Sequence, residues 1–361
     1  MPPDQGPQFT GRGVNSHPPN RFEAVHQEND FEQLESGDEM LADHRAVPTE
    51  FLPDNAKTVI RENDSPDIPF RFGINPYRGC EHGCVYCYAR PYHELIGMNA
   101  GLDFETKVLV KFDVAQLLRV ELNHRSWKPE WISVSGVTDC YQPAERRFRL
   151  TRSILEVMVE ARHPVGIITK NALVTRDLDL LRPLAERSLV SVGISLTTLD
   201  ADLARTMEPR TSTPAARLRA IRELSAAGVP VRAMISPIVP GLTDHELPEL
   251  LKAAKDAGAQ GASFTMLRLP MVVAPIFIEW LRTHRPLAAD KVEQLIRSVR
   301  GGNLYDSEFG TRMRGTGAYA EGIGNTFKVF VNKLGLNNPW PPLDNTQFRP
   351  PQLPGGQKML F

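Results

Sequence analysis

The sequence predicts an α/β fold of six parallel strands alternating with helices, arranged as an open doubly wound sheet or a partial (β/α) barrel. Three observations predict it. Short β-rich runs recur roughly every 30–60 residues, helical patterns lie between them, and such connections require parallel pairing with right-handed crossovers. With 361 residues, 41% hydrophobic and 24% charged, the chain can bury a sizeable core, which excludes a wholly disordered protein.

The predicted strands are short apolar runs rich in β-branched residues, namely Phe70–Ile74, Trp131–Ser135, Val165–Thr169, Val190–Leu196, Val231–Ile235 and Ala262–Met266. Apolar residues at i, i+3 and i+4 predict the intervening helices, at about 113–124, 151–162, 177–186, 214–227 and 244–257. Gly228 is placed to end one helix, and Thr243-Asp244 to begin another. In either arrangement, the loops after the carboxyl ends of the strands carry the chemistry.

The flanking segments differ from this central α/β core of residues 66–272. Residues 1–65 carry 13 acidic and 5 basic side chains, whereas residues 66–361 carry 30 acidic and 37 basic ones. The acidic arm lacks a sustained period, so we predict that it is largely disordered, with a contact to the body near Phe51-Leu52. The alternative to a solvated arm is one that masks a basic site or binds a partner. Residues 273–361 are predicted as an extension with helices at about 273–284 and 287–299, a Gly-rich loop over the mouth and an extended tail.

The sequence shows no signal for a membrane or for secretion. No apolar run approaches the roughly 20 residues that span a bilayer. The start, Met1-Pro2-Pro3-Asp4-Gln5, has neither a basic nor an apolar signal region. We therefore expect a cytoplasmic protein without a membrane partner.

Three of the four cysteines, Cys80, Cys84 and Cys87, lie directly after the first predicted strand with the spacing C-x3-C-x2-C. In a reducing compartment such clustering indicates metal ligation. Three thiolates on one loop can bind three irons of a four-iron, four-sulfur (4Fe-4S) cluster and leave the fourth iron open. Gly79 and Gly83 let the backbone fold closely around it.

Two other interpretations of these cysteines stay open. One is a structural zinc module completed by His82 or His93, although such sites usually pair two separated cysteine knuckles and the sequence holds no second one. The other is three inert buried thiols.

The cysteine motif, with the aromatic Tyr86 before its last cysteine, resembles the radical S-adenosylmethionine (SAM) superfamily, in the branch of uncharacterised bacterial proteins related to spore photoproduct lyase. The resemblance covers about residues 70–270, through Asn-Pro-Tyr-Arg-Gly-Cys and the segments Val137-Thr138-Asp139, Ile168-Thr169-Lys170, Gly193-Ile194-Ser195 and Glu208-Pro209-Arg210-Thr211-Ser212. It implies a partial (β/α)6 TIM-like barrel with a 4Fe-4S cluster and SAM. It also implies an enzyme that cleaves SAM to a 5′-deoxyadenosyl radical for hydrogen abstraction, with a reductant such as flavodoxin or ferredoxin.

The resemblance assigns roles to individual residues. Cys80, Cys84 and Cys87 would bind the cluster, while the cofactor-binding residues would be Tyr86, Tyr88 near the adenine, Thr138 and Asp139 near the methionine end, and Lys170 and Ser195 near the carboxylate and ribose. A lysine ending a buried strand is unusual unless its ammonium meets an anion, which SAM offers. The alternatives are a lysine whose ammonium reaches out of the barrel mouth and an ordinary polar strand end at Ser195.

Cys140, after the second predicted strand, is the candidate catalytic residue, a hydrogen-atom donor that quenches a product radical. The position of the corresponding cysteine in spore photoproduct lyase holds Gly136 here, so a buried small hydrophobe is the alternative. Kinship with the lyase suggests nucleic acid as the substrate, and protein or RNA modification stays open.

Two further expectations concern charge and turnover. Arginines such as Arg147, Arg149, Arg210 and Arg217 are predicted on solvated helix faces, and convergence of Arg147, Arg149 and Arg210 near the cluster would favour nucleic acid. The alternative to an enzyme is an iron–sulfur sensor of redox or iron state, which would neither bind nor cleave SAM.

Overall fold

A computed structural model of the chain describes residues 11–14, 16–22, 47–339 and 341–353. Its strands are β1 (Glu50–Pro53), β2 (Ile60–Glu62), β3 (Phe72–Ile74), β4 (Tyr77–Arg78), β5 (Lys107–Val110), β6 (Ile132–Val134), β7 (Val165–Thr169), β8 (Val190–Ser195), β9 (Val231–Ile238) and β10 (Gly261–Met266). Its α-helices are α1 (Pro91–Glu94), α2 (Leu102–Thr106), α3 (Val114–Leu122), α4 (Glu145–Phe148), α5 (Leu150–Ala161), α6 (Leu178–Ala185), α7 (Ala201–Met207), α8 (Pro214–Ala226), α9 (Leu247–Asp256), α10 (Val273–His284), α11 (Ala289–Ser298) and α12 (Gly317–Lys333).

The central sheet has seven strands in the order β10-β9-β8-β7-β6-β3-β2. The strands from β3 to β10 pair in parallel and follow one another in chain order, whereas β2 is antiparallel to β3. Because this order never reverses, right-handed crossovers place the connecting helices on one face of the sheet. The doubly wound alternative requires a reversal of strand order and is excluded. The predicted partial (β/α)6 barrel fold is confirmed.

The core lies between this sheet and its helices. Ile74, Val134, Ile167, Val192 and Ile235, one from each of five neighbouring parallel strands, are almost fully buried. Parallel strands covered on both faces are apolar throughout, which is why the sequence shows them as short continuous runs. At the end of α8, Gly228 adopts a φ of +78°, as its predicted position after the helix requires.

Part of the acidic arm has regular structure, since β1 and β2 lie within it. β1 pairs in parallel with β5, and β4 completes this small sheet. The expected contact near Phe51-Leu52 is confirmed, since the Phe51 ring packs edge-on against Phe148 at 4.9 Å. Residues 47–65 are ordered because they pair with the body and bury apolar surface there, notably Val59, which is 2% exposed. The prediction for residues 1–10, 15 and 23–46 lies outside the described residues.

The C-terminal extension runs along the outer edge of β10. The N–H groups of Ala262 and Met266 donate to the carbonyls of Leu336 and Met313, at 3.0 and 2.9 Å. Arg312 then forms an ion pair with Asp67, in the loop between β2 and β3. The extension therefore connects the two edges of the sheet. It does so at the end of β10 where the site loops lie.

Helix α12 was not predicted. It contains Gly317, Gly322 and Gly324, and each glycine weakens a helix by about 1 kcal/mol relative to alanine. Tertiary packing stabilises it instead, because Phe327 stacks on Phe264 with ring centroids 4.6 Å apart. Residues 341–353 form the predicted extended tail, and within the described part of the chain no helix is long and apolar enough to cross a membrane.

Candidate functional site

The three cysteines lie on the loop that follows β3 and β4, at the carboxyl end of the parallel sheet. Cys80 and Cys84 are each 6% exposed, and Cys87 is half-buried. Two glycines let this loop turn tightly. Gly79 and Gly83 have φ of +82° and +65°, and a side chain on either would lie about 3 Å or less from neighbouring atoms.

Buried polar side chains fix the shape of the cysteine loop. Gln142, fully buried after β6, accepts from Glu81 N at 2.9 Å and donates to the Gly79 carbonyl at 3.1 Å. Arg90, also fully buried, donates to the Cys84 carbonyl from Nε and Nη2, at 3.2 and 3.0 Å. The loop backbone is therefore held on both sides before any cofactor binds.

These residues fit an iron–sulfur cluster better than a single metal ion. Among the residues that the structure describes, no three His, Cys, Asp or Glu side chains gather closely enough to hold one ion. The His82 ring lies 3.4 Å from Asp139 and 3.3 Å from Asn171, and His93 packs edge-on against Phe104. The zinc alternative therefore finds no support, whereas three soft sulfur donors on a tight loop suit a cluster in which each thiolate binds its own iron.

Burial raises the pKa of all three thiols, since a thiolate is poorly solvated there. For Cys80 the neighbouring Asp139 charge adds to the rise, and for Cys84 the Glu208 charge does. Burial thus favours the neutral form of these thiols when no metal is bound. Cluster binding must release their protons, because the thiolate is the metal ligand.

Lys170 and Tyr86 both contact the buried carboxylate of Glu208. The sequence did not identify Glu208 as a site residue. Lys170 Nζ lies 3.4 Å from Glu208 Oε1 and donates to the Ser236 carbonyl at 3.2 Å. The Tyr86 hydroxyl donates to the same Glu208 oxygen, and the Tyr86 ring lies 5.6 Å from Lys170 Nζ. Burial lowers the pKa of Lys170 to about 8, so its ammonium is poorly compensated in this site.

Arg217 completes this buried network and connects it to Ser195. Its guanidinium pairs with Glu208 and donates to the Ser195 carbonyl at 3.2 Å. Arg217 is 1% exposed, so its predicted place on a solvated helix face is wrong. The reason is that Glu208, nine residues earlier, supplies a buried countercharge. Ser195, 6% exposed, lies at the end of β8 as predicted.

Thr138 and Asp139 are engaged by the protein itself. The Thr138 hydroxyl donates to the Tyr77 carbonyl at 2.8 Å. Asp139 accepts from the Thr169 hydroxyl and from Lys170 N, both at 2.7 Å. Burial opposes ionisation of Asp139, but His82 and these donors outweigh it and lower its pKa. Both residues thus tie the loop after β6 to its neighbours.

Tyr88 and Cys140, the remaining predicted residues, have different surroundings. Tyr88 is 43% exposed, and its hydroxyl donates to the Gly136 carbonyl at 2.7 Å. Cys140 is fully buried in the main core, with Sγ 3.9 Å from the Val134 carbonyl. This burial matches the alternative of a small hydrophobe, and the hydrogen-donor role stays a prediction.

The missed residues are all polar, and all except the half-buried Asn75 are buried. Asn75 accepts from the N–H groups of Gly136, Val137 and Thr138, at 2.8–3.3 Å, and so shapes the loop after β6. Asn75 and Glu208 lie within the motifs that carry the family resemblance, and this was the available signal for them. Arg90 and Gln142 had no comparable signal, because neither lies within those motifs.

Comparison with known proteins agrees with this fold. Residues 74–254 match the model of the Radical SAM superfamily. The chain is 40% identical over 232 residues to the uncharacterized protein Rv2578c of Mycobacterium tuberculosis (strain ATCC 25618 / H37Rv), covering 64% of this chain and 68% of that protein. It is 32% identical over 197 residues to the uncharacterized protein MJ0683 of Methanocaldococcus jannaschii, covering 55% and 71%.

The solved structures show a similar fold. A mutant of spore photoproduct lyase with bound AdoMet and dinucleoside spore photoproduct superposes with a TM-score of 0.54 at 15% identity, covering 79% of this chain and 78% of that one. The chain belongs to the radical SAM superfamily. Its cofactors are accordingly a 4Fe-4S cluster and SAM.

Proposed function

We propose that the protein is an enzyme that cleaves SAM reductively and abstracts hydrogen from a substrate at the barrel mouth, with Cys80, Cys84 and Cys87 as the cluster ligands. The observation that carries this proposal is the loop itself, in which the Cys80 thiol is close enough to Cys84 and Cys87 for their charges to raise its pKa, and in which Gln142 and Arg90 fix the backbone. When bound, the cluster and SAM supply the electron and the 5′-deoxyadenosyl radical. The chain's own residues supply binding, orientation and exclusion of water.

Lys170 is proposed to bind the carboxylate of SAM. Its ammonium lies at the carboxyl end of β7, beside the Tyr86 ring, and burial makes a second anionic partner favourable. Glu208 holds both Lys170 and Tyr86 in place. We assign Thr138 and Asp139 a positioning role, because the protein's own donors and acceptors already engage their polar groups.

Nucleic acid is the proposed substrate. The half-exposed Tyr88 ring offers a stacking surface, and the Arg268 guanidinium lies 5.7 Å from it, at the end of β10. The Arg268 guanidinium donates to the Met313 sulfur at 3.6 Å and its charge acts on Asp67, and we take it to be available to a phosphate as a further partner. The similar lyase structure has a dinucleoside spore photoproduct bound to that protein. The other arginines give no such support, since Arg147 packs on Phe148 and Arg210 pairs with Glu81.

Anaerobic reconstitution tests the proposed activity. The protein is loaded with iron and sulfide, mixed with dithionite and SAM, and assayed for 5′-deoxyadenosine by chromatography. We expect the product with the wild type and its loss in Cys80→Ala. Lys170→Met should keep the cluster and weaken SAM binding at least about tenfold, the effect of about 1.4 kcal/mol, whereas Lys252→Met, on an exposed helix, should match the wild type. A loaded protein that neither binds nor cleaves SAM would favour the sensor alternative.

The substrate proposal has its own test. Binding of a single-stranded oligonucleotide is measured across a range of salt concentrations, for the wild type, Arg268→Gln and the exposed control Arg205→Gln. Binding should fall steeply with salt, and Arg268→Gln should lower the slope by about one unit. A flat salt response would refute nucleic acid as the substrate.

A further inference from the structure

A segment far before the family match packs directly against the cysteine loop. In this segment, Gly13 N donates to Glu105 Oε2 at 2.9 Å, and Arg12 Nη1 donates to the Glu105 carbonyl at 2.9 Å. Val14, which follows, is 3% exposed. We call residues 12–14 the N-terminal strap. Because the family match begins at residue 74, nothing in that match assigns the strap a role.

The contact between the strap and the loop requires glycine on both sides. A methyl group on Gly13 would lie 1.7 Å from the carbonyl oxygen of Gly83, a backbone atom that cannot move aside. A methyl group on Gly83 would lie 2.7 Å from Glu105 Oε2 and 3.2 Å from Gly13 N. Gly83 immediately precedes Cys84, so the strap touches the loop between two of the three thiols.

A buried chain of polar contacts connects the strap to Cys84. The Glu105 carboxylate is fully buried, and one oxygen accepts from Gly13 N while the other pairs with Arg90 Nη2 at 2.6 Å. Arg90 in turn donates to the Cys84 carbonyl. A buried carboxylate needs all of its donors, so loss of the strap would disturb Glu105 and, through Arg90, the backbone at Cys84.

A second chain of contacts reaches the loop next to Cys80. Arg12 Nη2 donates to the Thr49 hydroxyl at 3.0 Å, and Thr49 donates to Glu81 Oε1 at 2.8 Å. Glu81 immediately follows Cys80. The strap is thus bound to the loop next to both Cys80 and Cys84. Outside the strap, the two chains of contacts use different side chains.

We infer that the N-terminal strap is part of the cluster-binding site, where it covers the outer side of the cysteine loop and holds it in the ligating shape. Its residues act as positioning residues and do not touch the cluster. The inference rests on the proposed assignment of the three cysteines as cluster ligands. It predicts that damage to the strap increases access to the thiols and speeds loss of the cluster while the barrel stays folded.

The test compares Gly13→Ala and Gly13→Val with Gly11→Ala. Gly11 has a φ of +72° and nothing within 4 Å of a side chain placed there, so its substitution strains the backbone without touching the loop. Gly13 is not in the left-handed region, so its substitution acts through the contact alone. Arg12→Met is a second, milder variant that leaves the glycine contact intact and breaks the chain to Glu81.

Two readouts are needed, and one of them requires no cluster. In the cluster-free protein, the rate at which an aromatic disulfide modifies the thiols should rise about tenfold in Gly13→Val, which corresponds to about 1.4 kcal/mol of lost loop stability. In the loaded protein, the half-time of cluster loss to an iron chelator should shorten by a similar factor. Gly11→Ala should stay within about twofold of the wild type for both.

Circular dichroism and the urea midpoint report whether each variant still folds. If Gly13→Val does not fold, Gly13→Ala and Arg12→Met carry the comparison. Wild-type rates in the folded Gly13 and Arg12 variants would overturn the inference. If the wild type binds no cluster, the proposed function fails, and the thiol rates still decide whether the strap shields the loop.

Discussion

Replacement of Arg90 by methionine should destabilise the protein strongly. Arg90 is fully buried, pairs with Glu105 at 2.6 Å and donates to the carbonyls of Cys84, Ala100 and Gly101. Arg90→Met leaves the buried Glu105 carboxylate without its cation and these carbonyls without their donor. Removal of one partner from a buried ion pair costs about 3–5 kcal/mol, and we expect a loss of this size in the free energy of unfolding.

Urea denaturation of the cluster-free protein, followed by tryptophan fluorescence under reducing conditions, measures this loss. The matched control is Arg205→Met, whose guanidinium is 75% exposed and pairs with Asp202 at 3.0 Å. A surface pair of this kind contributes about 0–1 kcal/mol. Arg90→Met combined with Glu105→Gln should recover part of the loss, because no uncompensated charge then stays buried. Equal urea midpoints for Arg90→Met and Arg205→Met would refute this reasoning.

Three further predictions concern other parts of the molecule. Gln142→Ala leaves Glu81 N and the Gly79 carbonyl unpaired, which should lower the free energy of unfolding by about 1–3 kcal/mol in urea titrations. Burial lowers the pKa of His163 to about 4, so the unfolded chain takes up its proton first as the pH falls below 6.5. His163 should therefore contribute a loss of about 3 kcal/mol in stability between pH 6.5 and 4, and His163→Gln should remove this share of the dependence in acid denaturation curves. Leu155→Ala, in the main core, should cost about 2–5 kcal/mol in the same urea assay, and a smaller loss would mean that the site collapses around the cavity.

The barrel could be predicted from sequence because its signals are local. Val165–Thr169 is a strand in the structure with its predicted bounds, and its neighbours differ only at their ends. Buried parallel strands are continuous apolar runs, and amphipathic helices show their period within one segment. The small sheet of β1, β4 and β5 was not predicted, since its strands are short and β1 pairs with β5 across more than 50 residues of chain.

The candidate site was predicted only in part, for the same physical reason. The cysteine spacing is local and could be seen directly. The buried pairs Arg90–Glu105 and Arg217–Glu208 consist of charged residues that a sequence pattern assigns to solvent. Their burial becomes favourable only when folding brings the countercharge and its hydrogen bonds together, which depends on tertiary structure.

Because the C-terminal extension covers the edge of β10, it also limits aggregation between copies of this protein. A bare outer strand displays a row of unused N–H and C=O groups that a second molecule can pair with, and this is a common route to fibres and precipitates. Here Leu336 and Met313 accept the N–H groups of β10, while Arg314 donates to the carbonyl of Phe264 at 3.1 Å. The residues that join the two sides of the barrel therefore also protect the edge of β10. They leave fewer free backbone groups there for a second copy of the protein to pair with.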